Sequence, residues 1–197
     1  MKFKNIIPRY KHKPKYRTLY FTDFSNINAL VNWIVSNRVK KHNQRLFPVK
    51  IIHIDFSRCR FLKPYHIAPL ACLIHEYQVH GFKIVIEKIP NEIDEYLKSF
   101  NFNQFCSNEH QNNIPKTTDC KTLPLWKIEQ GAKDIYTDKA KQYFENNHFD
   151  GKSLYPLSIS MAELMNNVFD HFGSSIPGYT FTQYNTRTKS VITCVCD

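Results

Sequence analysis

No apolar run in this sequence approaches the ~20 residues that a membrane-spanning helix requires. The opening Met1-Lys2-Phe3-Lys4-Asn5-Ile6-Ile7-Pro8 also lacks the apolar core of a secretory signal. A cytoplasmic protein is the expectation, with no membrane partner. None of the six cysteines forms a C-x-x-C pair. Cys59, Cys72, Cys106 and Cys120 stand apart. Cys194 and Cys196 share one face of a strand and cannot readily close a tetrahedral metal site together. Reduced, mostly buried thiols are expected; a zinc site drawing on these and His53, His66 or His75 is the weaker alternative. Negative charge is in deficit, with 17 acidic against 27 basic side chains and a formal charge of +10. Much of the excess lies at Lys2, Lys4, Arg9, Lys11, Lys13, Lys15 and Arg17, with Tyr10 and Tyr16 between. Such a segment could grip phosphate backbones, serve as a soluble tail, or meet an acidic partner. No nucleic-acid-binding motif accompanies it, so nucleic-acid binding is possible without being favoured. Internal repeats and low-complexity runs are absent.

What is present fills 197 residues, enough for one large or two small domains. Residues 1–16 form the basic segment, 17–105 a first domain, 106–121 a polar linker and 122–197 a second domain. In the first domain, Arg17 to Phe24 is β-rich. A helix capped by Ser25 runs to about Lys41, with Ile27, Leu30, Val31, Ile34 and Val35 on its apolar side. Val49 to Phe56 is a strand, apolar on both faces and therefore central. A helix from about Tyr65 to His80, a strand at Phe82–Glu87 and a helix from Pro90 or Asn91 to Phe100 follow. Strand and helix in alternation predict a βαβ unit and an α/β fold. In the second domain, Leu123–Ile128 is a short apolar strand or an anchor. Asp134 to Asn147 is a helix burying Ile135, Ala140, Tyr143 and Phe144.

The stretch Ser160 to Phe172 carries the chemistry. Met161, Leu164, Met165, Val168 and Phe172 recur at helical spacing and make an apolar stripe. Ser160, with Glu163 three residues on, reads as an N-cap closing a capping box. Glu163, Asn167 and His171 stack one turn apart on the opposite flank, widened by Asn166 and Asp170. A solvated face is the plain reading of that flank. The sharper one is a metal and phosphate site, with the Asn167 amide oxygen as a neutral ligand for Mg²⁺ and Glu163 aimed at a water beside a phosphate.

Glu163-x-x-x-Asn167-x-x-x-His171 resembles the N-box of the GHKL ATPases, the family of gyrase, Hsp90 and the histidine kinases. The resemblance implies ATP and Mg²⁺, with Asn167 as the metal ligand, Glu163 as the water-activating base, and Asn166, Asp170 and His171 lining the site. It extends to a hairpin, Tyr179–Asn185 and Ser190–Cys196, and to Asp197, which sits where the family's adenine-binding Asp opens the D-x-G-x-G box. The glycines of that box and the ATP lid would lie beyond Asp197, so the second domain resembles a partial GHKL α/β sandwich. Either the chain is a fragment of a longer protein, or the missing half comes from elsewhere, or the domain is degenerate and serves as a non-catalytic scaffold. Residues Ile51 to Phe105 resemble a STAS domain, the module of anti-anti-sigma factors, through Ile54-Asp55-Phe56-Ser57, Phe61-Leu62, the long helix, Gly81 and Leu97-Lys98-Ser99-Phe100. The phosphorylatable turn of that family is Lys63-Pro64-Tyr65-His66 here, without the serine, which leaves a docking or packing module. Together the resemblances imply a regulatory STAS–GHKL protein with a sigma-regulator-like protein partner.

Overall fold

The computed structural model describes residues 16–39, 51–107, 121–128, 131–172 and 178–197. Most of the basic segment and of the linker lies outside these residues. The described part is a mixed α/β protein with two three-stranded sheets, one parallel and one antiparallel.

The parallel sheet has the order β1-β2-β3, from β1 (Tyr16–Thr22), β2 (Ile51–Arg58) and β3 (Lys83–Glu87). Tyr16, assigned above to the basic segment, pairs with Ile51 and opens β1. Leu19, Phe21, Ile52, Ile54 and Phe56 are buried, as one face of a half-covered sheet requires. α1 (Ile27–Asn37) is capped by Asn26, whose Oδ1 accepts the Ala29 N–H at 3.0 Å; Ser25 is one residue too early. Its buried side also differs from expectation. Trp33 packs edge-on against Phe21, with ring centroids 5.2 Å apart, and Leu30 is buried, which turns Ile27, Val31 and Val35 outward.

α2 (Pro64–Val79) begins with Pro64 in its first turn, a position where the missing N–H is harmless. It is apolar around most of its circumference and works on two sides. His66 meets Phe21 and Phe24, and Tyr77 meets Phe82 and the Asn37 carbonyl; Leu70 and Leu73 continue this stripe towards the parallel sheet. Ala68, Cys72 and His75 form the second stripe. Cys72 lies beside Cys196, and the His75 ring lies 5.7 Å from that of Tyr179. α3 (Asn91–Ser99) and the short α4 (Phe102–Cys106), which the sequence did not announce, place Phe100 and Phe105 against Phe181 and Tyr179.

The antiparallel sheet has the order β4-β5-β6, from β4 (Trp126–Ile128), β5 (Gly178–Asn185) and β6 (Ser190–Cys196). Alternation divides β5. Tyr179, Phe181 and Gln183 face α2 and α3, while Thr180, Thr182 and Tyr184 face the helices beyond, α5 (Lys133–His148) and α6 (Tyr155–Phe172). The layers therefore run parallel sheet, helices, antiparallel sheet, helices. In α5, Tyr136, Ala140 and Phe144 are buried, whereas Ile135 is exposed.

Candidate functional site

α6 is longer than its sequence signals. It starts at Tyr155, so Ser160 lies in its second turn and caps nothing. The start is held from α5 and from the preceding loop instead: Glu145 Oε1 of α5 accepts the Leu154 N–H at 2.6 Å, and Ser153 Oγ of the loop accepts the Tyr155 N–H at 3.3 Å. Met161 and Met165 are fully buried among Tyr136, Ala140 and Phe144. Leu164 is exposed, so the apolar stripe is narrower than the spacing predicts.

α5 is fixed in turn by a buried hydroxyl relay. Tyr136 Oη donates to Thr182 Oγ1 at 2.9 Å, and Thr182 meets Thr193 at 3.2 Å. Burial pushes the Tyr136 phenol up to about 12, so it remains a donor at any physiological pH. This relay ties α5 to both strands of the hairpin, and α5 then sets the depth of α6.

The polar flank of α6 is open to solvent. Glu163, Asn167 and Asp170 are exposed, and among the described residues no side chain engages Glu163 or Asn167. Asn166 is different: its Oδ1 accepts a hydrogen bond from Lys133 Nζ at the start of α5. That contact spans 33 residues, and no spacing rule could have foretold it. It sets a cation beside the flank. The His171 side chain lies outside the described residues.

The hairpin brings the last residue back to α6. Tyr179 pairs with Cys196, which sets Asp197 beside Gly178. A Cβ on Gly178 would lie 3.2 Å from Val168 Cγ1 and 3.6 Å from the Cys196 carbonyl oxygen. The hairpin thus presses against α6 one residue beyond Asn167, with little room to spare. Val191 and Val195 face the core shared with α5 and α6, while Asp197 follows the end of β6, and its charge acts on the Cys72 and Cys196 thiols on the α2 side. No sequence signal had marked Gly178 or Lys133.

The cysteines and histidines serve packing. Among the described residues no three His, Cys, Asp or Glu side chains are grouped to hold a metal. His53 Nδ1 pairs with Glu87 at 2.9 Å. His66 Nδ1 accepts the Lys63 N–H at 3.1 Å, which leaves the proton on Nε2, buried without a polar partner among aromatic rings. Burial pushes the Cys194 thiol up to about 12. Among the described residues no helix is long and apolar enough to cross a membrane. No family model, no curated protein and no solved structure matches the chain.

Proposed function

We propose that the chain is a regulatory protein whose α6 flank forms one wall of a GHKL-type site for ATP and Mg²⁺, joined to a STAS-like docking unit. One observation supports this reading: β6 ends at Cys196 opposite Tyr179, so Asp197 follows beside Gly178, and Gly178 packs on Val168 of the helix bearing Glu163 and Asn167. In this arrangement Asn167 holds Mg²⁺, whose remaining ligands are phosphate oxygens and water. A single neutral amide suffices where phosphates complete the shell, so a cluster of carboxylates is not needed. The exposed, unengaged Asn167 and Glu163 suit this role. Asp197 accepts from the adenine amino group, Lys133 and Asn166 sit beside the phosphates, and Asp170 and His171 extend the wall. Glu163 is placed to orient a water, the role of a base in hydrolysis. The facing wall comes from a protein partner or from further chain. A scaffold without nucleotide is the second reading, favoured by the openness of the same flank.

Calorimetric titration separates the two. MgATP binds this chain, ATP with EDTA binds markedly less, and Asn167→Ala weakens MgATP by about tenfold or more. Saturating MgATP raises the melting temperature by mass action. Absence of heat and of any melting shift at millimolar MgATP leaves the scaffold reading.

A further inference from the structure

Among the described residues, helices cover only one face of the parallel sheet. On the other face, strand alternation sets out Tyr16, Thr18 and Tyr20 of β1 beside Ile51 and His53 of β2 and Lys83 of β3. Tyr16 is 49% exposed and Tyr20 46%, which is unusual for two large rings in the first strand of a packed layer. Each ring is backed by a group of cationic or imidazole character. The Arg58 guanidinium lies 4.7 Å from the Tyr20 ring centroid, and the His53 ring lies 4.8 Å from that of Tyr16. Four residues apart on a strand, the two tyrosines stand about 13 Å from one another. Of the acids of this face, Asp55 is paired with Lys88 at 2.6 Å and Glu87 is hydrogen-bonded to His53 at 2.9 Å. The sequence leading into Tyr16 holds six cations and no acid in residues 1–15, and the whole chain carries +10.

We propose that this open sheet face binds single-stranded nucleic acid, with Tyr16 and Tyr20 as stacking platforms and Arg58 and Lys83 meeting the phosphates. The physical case is one of matched chemistry. Bases in a single strand expose their flat faces and stack on aromatic rings with little regard to sequence, while a duplex hides those faces. Arg stacked on a ring offers both a plane and a charge. The pair spacing accommodates two bases of an extended strand. The excess positive charge supplies the nonspecific attraction that such sites use. An acidic protein would satisfy the charge and leave the two rings without a purpose. This site is separate from the α6 flank and does not depend on the nucleotide reading.

The test is fluorescence anisotropy with a labelled oligothymidylate of about fifteen nucleotides and the full chain, at about 50 and 200 mM salt. The unsubstituted chain binds the single strand more tightly than a duplex of the same length, and binding weakens as salt rises. The double variant Tyr16→Ala/Tyr20→Ala loses about tenfold or more in affinity at either salt, with the salt slope retained. Tyr16→Phe/Tyr20→Phe keeps most of the affinity, as does Tyr155→Ala at an exposed tyrosine of α6. Photocrosslinking of a 5-iodouracil oligonucleotide to the unsubstituted chain, read by mass spectrometry, maps to Tyr16 or Tyr20 and covers the case in which the alanine variant misfolds. Failure to bind, a double alanine variant that folds and binds as tightly as the original, a duplex bound equally well, or crosslinks confined to other residues overturns the proposal.

Discussion

His66 and Asp55 set the acid stability of the parallel unit in opposite chemical ways. Burial, reinforced by nearby Lys63, lowers the His66 pKa to about 4 from its ordinary 6.5. An unfolded chain takes up this proton as pH falls below 6.5, and the folded chain does so only near 4. Stability is therefore lost across that interval, by up to about 3 kcal/mol. The hydrogen bond from Lys88, with help from Ser57, lowers Asp55 to about 2 from 3.8. Its stabilisation is present above 3.8 and disappears as pH drops from there to 2. Urea midpoints measured from pH 7 to 4 should fall for the unsubstituted chain, and His66→Phe should flatten that fall whatever it does to stability at pH 7. A midpoint equally pH-dependent in the variant would assign the acid limb to other groups. No pattern in the sequence distinguishes His66 from its neighbours. Its spacing fits a helix start, but its cap role depends on a bond from the Lys63 backbone.

At the scale of elements, α2 contains its own repair. Pro69 lies inside the helix and has no N–H for the Tyr65 carbonyl. The thiol of Cys194, from the neighbouring sheet, lies 3.8 Å from that oxygen and supplies a weak donor. Cys194→Ala should then cost about 1–2 kcal/mol in chemical denaturation, from a lost donor and a small cavity. Pro69→Ala restores the helical bond, and the cost of Cys194→Ala should shrink in that background; an additive cycle would deny the link. Elements of this kind were legible to different depths. The hairpin of β5 and β6 was placed almost to the residue because β-branched alternation and a polar turn are local properties. The buried faces of α1 and α6 were legible in part. Leu30, Met161 and Met165 are buried as their spacing foretells, whereas Ile27, Val31, Val35 and Leu164 fit the same stripes and lie exposed, and such choices are made by neighbours distant in sequence. The polar flank of α6 was read as residues, with its partner Lys133 unseen.

Across the whole molecule, Phe181 shows how closely the two sheets are joined. It is fully buried on β5, with its ring 4.6 Å from Phe100 of the segment joining α3 and α4. Phe181→Ala should remove about 3–5 kcal/mol and lower the melting of both sheets together. Two separate transitions by circular dichroism and tryptophan fluorescence would show that the units unfold independently. The mixed α/β character was legible from strand and helix alternation. The shared helix layer was less so, although one sign was present: Ile67, Ala68, Leu70, Ala71, Cys72, Leu73 and Ile74 leave α2 almost no polar side, the mark of a helix enclosed on both sides.

That double-sided helix has a consequence for how the chain can be divided. A cut in residues 108–120 leaves α2 on one fragment and its second surface, β5 and β6, on the other. The first piece bares a strip of alanine and thiol to water, and the second loses the cover of one sheet face. Each invites aggregation alone, and mixing them during refolding offers each the surface it lacks. The place where the sequence loosens is thus a covalent seam across a continuous interior.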